Sequence, residues 1–135
     1  MSFNQPGLSQ KKIANYPKDI IYFGQGGGFA GIETTYALLE SGDLYKKQSL
    51  NDAEYTFIKR LPTGETKQIF SNYAFLGIPA MQLNQPANTY QFIEYADKAS
   101  RQKLVWDGAE DVPGNLKLYY SLLKHIVTTT DKKKI

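Results

Sequence analysis

The chain has no cysteine, which excludes disulfides, thiol catalysis and zinc–thiolate centres. It has a single histidine, His125, and one imidazole without thiols speaks against a transition-metal site. No nucleophile-elbow motif accompanies the serines, so a Ser-His-acid arrangement has no sequence support. No apolar run approaches the roughly 18 residues that a membrane-spanning helix needs. Met1 to Lys12 is polar and carries no apolar h-region, so no signal peptide is visible there. The missing cysteines name no compartment.

Aromatic residues are plentiful: ten tyrosines, seven phenylalanines and one tryptophan among 135 residues. A hydrophobic fraction of 41% supports a folded domain. The length fits one domain with its own core. Tyrosine suits half-buried sheet faces and contact surfaces. Net charge is +3, and much of the excess lies in Lys11-Lys12 and Lys132-Lys133-Lys134. No aromatic-basic signature of nucleic-acid binding accompanies it.

The organisation expected is a loose arm over 1–17, one α+β domain over 18–128, and a basic tail over 129–135. Asp19 to Phe23 has strand character. Glu33 to Leu39 is ambiguous, with Thr34-Thr35-Tyr36 favouring a strand. Ser41-Gly42 marks a hairpin turn into Leu44-Tyr45. Tyr55 to Arg60 has weak strand character. Ile69, Phe70, Tyr73 and Leu76 then make a helical face, predicting a helix over Gly64–Leu76. Thr63 is its expected N-cap, and Gly77 and Pro79 close it. Pro79 to Asn88 carries no helix or strand signal. Thr89–Tyr95 and Arg101–Trp106 alternate as a hairpin. Leu116, Tyr119, Tyr120, Leu123, Ile126 and Val127 form a helical stripe over Pro113–Val127. Paired hairpin signals with few helices favour an antiparallel sheet of four to five strands, with two helices packed on one face.

Five of the eleven glycines fall within Gly24-Gln25-Gly26-Gly27-Gly28-Phe29-Ala30-Gly31. Gly26-x-Gly28-x-x-Gly31 fits a dinucleotide fingerprint, in which glycines bring the backbone to a pyrophosphate at a helix N-terminus. Against that reading, Gly24 and Gln25 stand where a buried apolar strand end belongs. Thr34-Thr35 is mediocre helix material, and Leu44 to Gln48 is too polar for a central parallel strand. The alternative is a glycine-lined bend between two antiparallel strands. That reading expects no cofactor and no metal.

Carboxylates such as Glu33, Glu40, Asp43 and the cluster Asp107, Glu110, Asp111 are mostly explained by turn and cap positions. The spacing of that cluster is not that of an EF-hand loop.

Gly27-Gly28-Phe29-Ala30-Gly31-Ile32 resembles the Gly-Gly-Phe-Ala-Gly motif of emfourin and the protealysin inhibitors, small protein inhibitors of thermolysin-family metallopeptidases. The segment Asn72 to Pro79, the hairpin Tyr90 to Trp106 and the closing Val112-Pro113-Gly114-Asn115-Leu116 also resemble theirs in order. The resemblance implies a non-enzymatic module that binds another protein, a thermolysin-like peptidase, through surface complementarity. The candidate contact residues are Gly26, Gly27, Gly28, Phe29, Ala30, Gly31 and Tyr36. A structural domain with another partner is the remaining reading.

Overall fold

The structure, a computed structural model, describes residues 8–28, 31–48, 54–108 and 112–128. Its elements, in order, are β1 (Leu8–Ser9), α1 (Gln10–Ala14), β2 (Ile20–Gly27), β3 (Thr34–Leu39), β4 (Asp43–Gln48), β5 (Glu54–Arg60), α2 (Thr63–Phe75), a 3₁₀ turn (Ile78–Ala80), β6 (Thr89–Ala96), β7 (Arg101–Asp107) and α3 (Gly114–Thr128). The strands form one sheet in the order β1-β5-β4-β3-β2-β6-β7. Every strand pair is antiparallel.

The α+β class follows directly. The expected four to five strands fall short. Apart from the two-residue β1, the sheet has six strands, and there are three helices rather than two. Tyr55–Arg60 is a full strand despite its weak signal. It lies near the sheet's edge, where polar alternates face solvent, and it pairs with β4 through Tyr45 opposite Phe57. The stretch expected as a loose arm is structured in part: Leu8 pairs with Tyr55, and α1 buries Ile13. An apolar residue spaced among polar ones gave no periodic signal there.

Two buried clusters explain the sequence of the central strand. Ile21, Phe23, Leu38, Leu44, Ile93, Leu104 and Trp106 join residues of α2 and α3 in one cluster. Ile20, Tyr22, Ala37, Leu39, Tyr45, Tyr55 and Phe92 join Ile13 of α1 in the other. The sheet therefore buries side chains on both faces. Ile20-Ile21-Tyr22-Phe23 can be apolar without alternation because all four are buried.

Helix α2 starts at Thr63, one residue earlier than predicted, with Pro62 in the N-cap position and no side-chain cap. Thr63 is thus not the cap. Thr66 serves the Pro62 carbonyl instead, through its backbone N–H at 3.0 Å and its hydroxyl at 3.0 Å. Gly77 closes the helix in the left-handed region, with φ 78°. The α3 stripe is buried at Leu116, Tyr119, Tyr120, Leu123 and Ile126. Tyr119 donates its hydroxyl to the Ile69 carbonyl of α2 at 2.8 Å, which ties the two helices together. Asn115 Nδ2 donates to the Leu76 carbonyl at 2.9 Å.

The segment after α2, expected as plain loop, contains the 3₁₀ turn and then runs along the edge of β7. Gln85 N donates to the Val105 carbonyl at 2.9 Å, and Val105 N donates to Leu83 at 3.0 Å. Those bonds occupy part of an edge that would otherwise offer free backbone groups. Gln102 fixes the segment from below: its Nε2 donates to the carbonyls of Ile78, Pro79 and Met81, while its Oε1 accepts from Tyr73.

Candidate functional site

The glycine-rich segment joins the two strands at the middle of the sheet. β2 does not stop at Phe23; it runs on to Gly27, pairing Gly24 with Thr35 and Gln25 with Thr34 on one side. On the other side, Gly24 opposes Phe92, Gly26 opposes Tyr90 and Gly27 opposes Thr89. Gly26-x-Gly28-x-x-Gly31 therefore opens no helix. The chain returns as the antiparallel strand Thr34–Leu39, so the helix N-terminus that a pyrophosphate needs is missing at this motif.

Glycine is required here by crowding more than by flexibility. A Cβ on Gly24 would lie 1.9 Å from the Thr34 carbonyl oxygen, and one on Gly27 would lie 1.9 Å from that of Asn88. Both contacts are with backbone, so no rotamer change relieves them. Gly27 also has φ 89°, a conformation that side chains disfavour. The bend beyond is less crowded: a Cβ on Gly31 would meet nothing within 4 Å.

The bend is held from several directions. Gly27 N donates to the Ile32 carbonyl at 3.2 Å, Gly28 N to Asn88 at 2.6 Å, and Gly31 N to Gly28 at 3.2 Å. Underneath, the Tyr120 hydroxyl donates to the buried Gly24 carbonyl at 2.9 Å. Lys124 Nζ donates to Gln25 Oε1 at 3.4 Å. Beside the bend, the Tyr90 hydroxyl donates to Glu33 Oε2 at 2.7 Å, and Thr35 donates to Glu33 Oε1 at 3.3 Å. Burial first, and then the bond to Glu33, pushes Tyr90 up to about 12. Its hydroxyl therefore stays a proton donor throughout the neutral range.

Of the residues expected to make contact, Gly26, Gly27, Gly28 and Gly31 come together at this end of the sheet. Phe29 and Ala30 lie outside the described residues. Tyr36 stands two positions further along β3 than the Gln25–Thr34 pair. Its ring stacks on Phe23 with centroids 5.3 Å apart, and Lys46 Nζ lies 5.9 Å from the ring centre. Ile32, just before the return strand, is 43% exposed.

A depression of about 400 Å³ lies against the bend, lined by Gln25, Gly26, Gly27, Ile32, Thr89 and Gln91 among others. A second, of about 420 Å³, continues past Gln91 and Gly108 to Trp106, Tyr120, Lys124 and His125. Trp106 Nε1 donates to Gln91 Oε1 at 2.9 Å, and Gln91 lines both depressions. His125, the only imidazole, lines this second depression on an exposed turn of α3 and has no carboxylate contact among the described residues. Groups of three or more histidine, aspartate or glutamate side chains placed to hold a metal ion do not occur among the described residues. Among the same residues no helix is long and apolar enough to cross a membrane.

Sequence reasoning missed Glu33, Gln91 and Tyr120. Gln91 and Tyr120 reach the bend from distant parts of the chain, and Glu33, which directly follows it, reads in sequence as one more turn carboxylate. Among the described residues, no nucleophile, base and oxyanion donor converge here. What it offers is a backbone shape fixed at its base, with an apolar side chain and grooves beside it. No protein-family model and no curated protein matches the chain.

Proposed function

We propose that this chain is a non-enzymatic protein-binding module whose contact surface is the bend 26–31 with Ile32. Its partner in this reading is a thermolysin-like metallopeptidase, which it inhibits. The observation that carries the proposal is the bracing of the bend. Hydrogen bonds from Gly27, Gly28, Gly31 and Tyr120 hold it, and Gly24 and Gly27 let neighbouring strands close in on it. A contact surface whose described ends are fixed before binding loses less entropy on association. The partner class comes from the resemblance at Gly27 to Ile32.

Inhibition would work by covering the substrate cleft. The chain has no cysteine and one histidine, so it has little means of stripping zinc. Helices α2 and α3, taken as one layer behind the sheet, would give the bend a stiff support. Ile32 and the aromatic Phe29 are the side chains best suited to enter a pocket, since a buried apolar or aromatic anchor often dominates an interface.

The test is peptidase activity at fixed, saturating zinc, against the thermolysin-like enzymes of the source organism. The expected result is saturable inhibition that added zinc does not reverse. Full peptidase activity in the presence of folded protein at high micromolar concentration would overturn the proposal.

A further inference from the structure

A separate polar cavity of about 230 Å³ lies over the sheet face that carries Tyr22, Tyr55 and Phe92. Its floor is aromatic: Tyr22 from β2, Tyr55 from β5 and Phe92 from β6 are at most 7% exposed. Three cations stand over these rings. Arg101 lies 5.6 Å from the Tyr22 centroid, Lys47 lies 5.2 Å from Tyr55, and Lys103 lies 5.1 Å from Phe92. Contacts of this kind hold the cationic side chains in place across the mouth.

Two carboxylates also line the cavity, and both are engaged within the protein. Glu33 accepts from Tyr90 and Thr35. Glu94 pairs with Arg101 at 3.4 Å. Lys103, by contrast, has no ion pair among the described residues. Three positive and two negative side chains leave the lining one charge positive.

The decisive group is Tyr55. It is 4% exposed, and its hydroxyl has no hydrogen-bond partner among the described residues. Its electrostatic neighbours are Tyr22, Glu94, Glu33 and Arg101, all of which line the same cavity. A buried hydroxyl is normally paired, because leaving it unpaired costs free energy. Here it lines a cavity with a positive surplus and makes no hydrogen bond to either lining carboxylate.

We propose that this cavity binds a carboxylate, with Tyr55 donating to one oxygen and Arg101 and Lys103 supplying the charge. A monoanion neutralises the surplus, and an acceptor-only group satisfies the hydroxyl. Cation-to-carboxylate and hydroxyl-to-carboxylate bonds are the stronger, charge-assisted kind. The volume is below the range of about 300–1,000 Å³ usual for ligand pockets. It therefore suits a small organic acid, or the single terminal carboxylate of a peptide, rather than a large cofactor. The site is independent of the peptidase reading.

The experiment titrates the full chain at constant ionic strength and follows amide chemical shifts. One arm uses acetate and benzoate. A second uses N-acetyl-alanyl-alanine, with its C-terminal amide as control. Inorganic phosphate and chloride form the third. The expected result is saturable shifts at Tyr22, Thr35, Tyr55, Phe92 and Lys103 with a carboxylate, absent with the peptide amide. Tighter saturation by the free acids assigns the small-acid source, and tighter saturation by the peptide assigns a chain terminus. Tyr55→Phe should weaken the better ligand about tenfold and Lys103→Gln several-fold, while Phe75→Ala on the far helix should leave it unchanged. Shifts that do not saturate by about 50 mM, phosphate binding tighter than either carboxylate, or wild-type affinity in Tyr55→Phe would each overturn the proposal.

Discussion

The bend's two ends should respond very differently to the same methyl group. Gly27→Ala places a Cβ 1.9 Å from the Asn88 carbonyl oxygen, where backbone must move to admit it. Gly31→Ala places one in open space. Both positions have positive φ, 89° and 67°, so both variants incur the left-handed cost of about 1–2 kcal/mol. Only Gly27→Ala must also separate β2 from the chain before β6, with loss of the 2.6 Å bond from Gly28 N to Asn88. A hydrogen bond lost in a partly buried place costs about 1 kcal/mol more, and the strand ends no longer pack. Gly27→Ala should therefore lose at least about 3 kcal/mol, and Gly31→Ala about 1–2 kcal/mol. Urea unfolding measures both, provided that the slope with denaturant is unchanged. Equal losses in the two variants would refute the argument that close approach, rather than φ alone, dictates glycine at position 27.

Further consequences concern the core, the support of the bend and alkaline pH. Leu123 is fully buried on α3, so Leu123→Ala should cost about 2–5 kcal/mol in thermal or urea unfolding. Tyr120→Phe removes the donor to the buried Gly24 carbonyl and should cost about 1–3 kcal/mol, with the largest amide shifts near Gly24. Burial is the first cause that raises Tyr22, Tyr36, Tyr45, Tyr55, Tyr73, Tyr90, Tyr95, Tyr119 and Tyr120 above the ordinary value of 10, with Tyr73 and Tyr90 at about 12. The folded state then holds protons that the unfolded state releases above pH 10, so stability must fall as pH rises. That contribution is intact below pH 10 and is being lost between pH 10 and 12. A denaturant midpoint that stays level from pH 9 to 11.5 would contradict it.

Local pattern carried far in this chain. The α3 stripe, the Tyr90–Trp106 hairpin and the Ser41-Gly42 turn are all present, because each depends on neighbours within a few residues. The bend was legible as a bend because Thr34-Thr35 and the polar Leu44–Gln48 suited antiparallel strands. What local pattern could not supply was partnership across the sheet. Gly24 looked like a flaw in a strand end, yet it sits in mid-strand because the Thr34 carbonyl leaves no room for a side chain. Tyr120 read as one more stripe residue, while its hydroxyl reaches across 96 positions to that same glycine. Ile13 stood alone among polar residues, and its burial depends on the sheet face to which α1 adds. Tyr36 fitted a contact surface by residue type, but its ring is stacked on Phe23.

The most direct test of the binding surface is Gly31→Arg in the inhibition assay. Position 31 has open space around it, so the variant should fold, with a loss of about 1–2 kcal/mol from its positive φ. Its side chain would nevertheless stand on the proposed contact surface. The account predicts that wild-type protein inhibits the organism's thermolysin-like peptidase, and that folded Gly31→Arg inhibits at least about tenfold more weakly, a difference of about 1.4 kcal/mol. Inhibition by Gly31→Arg equal to that of the wild type would place the contact elsewhere and contradict the central claim.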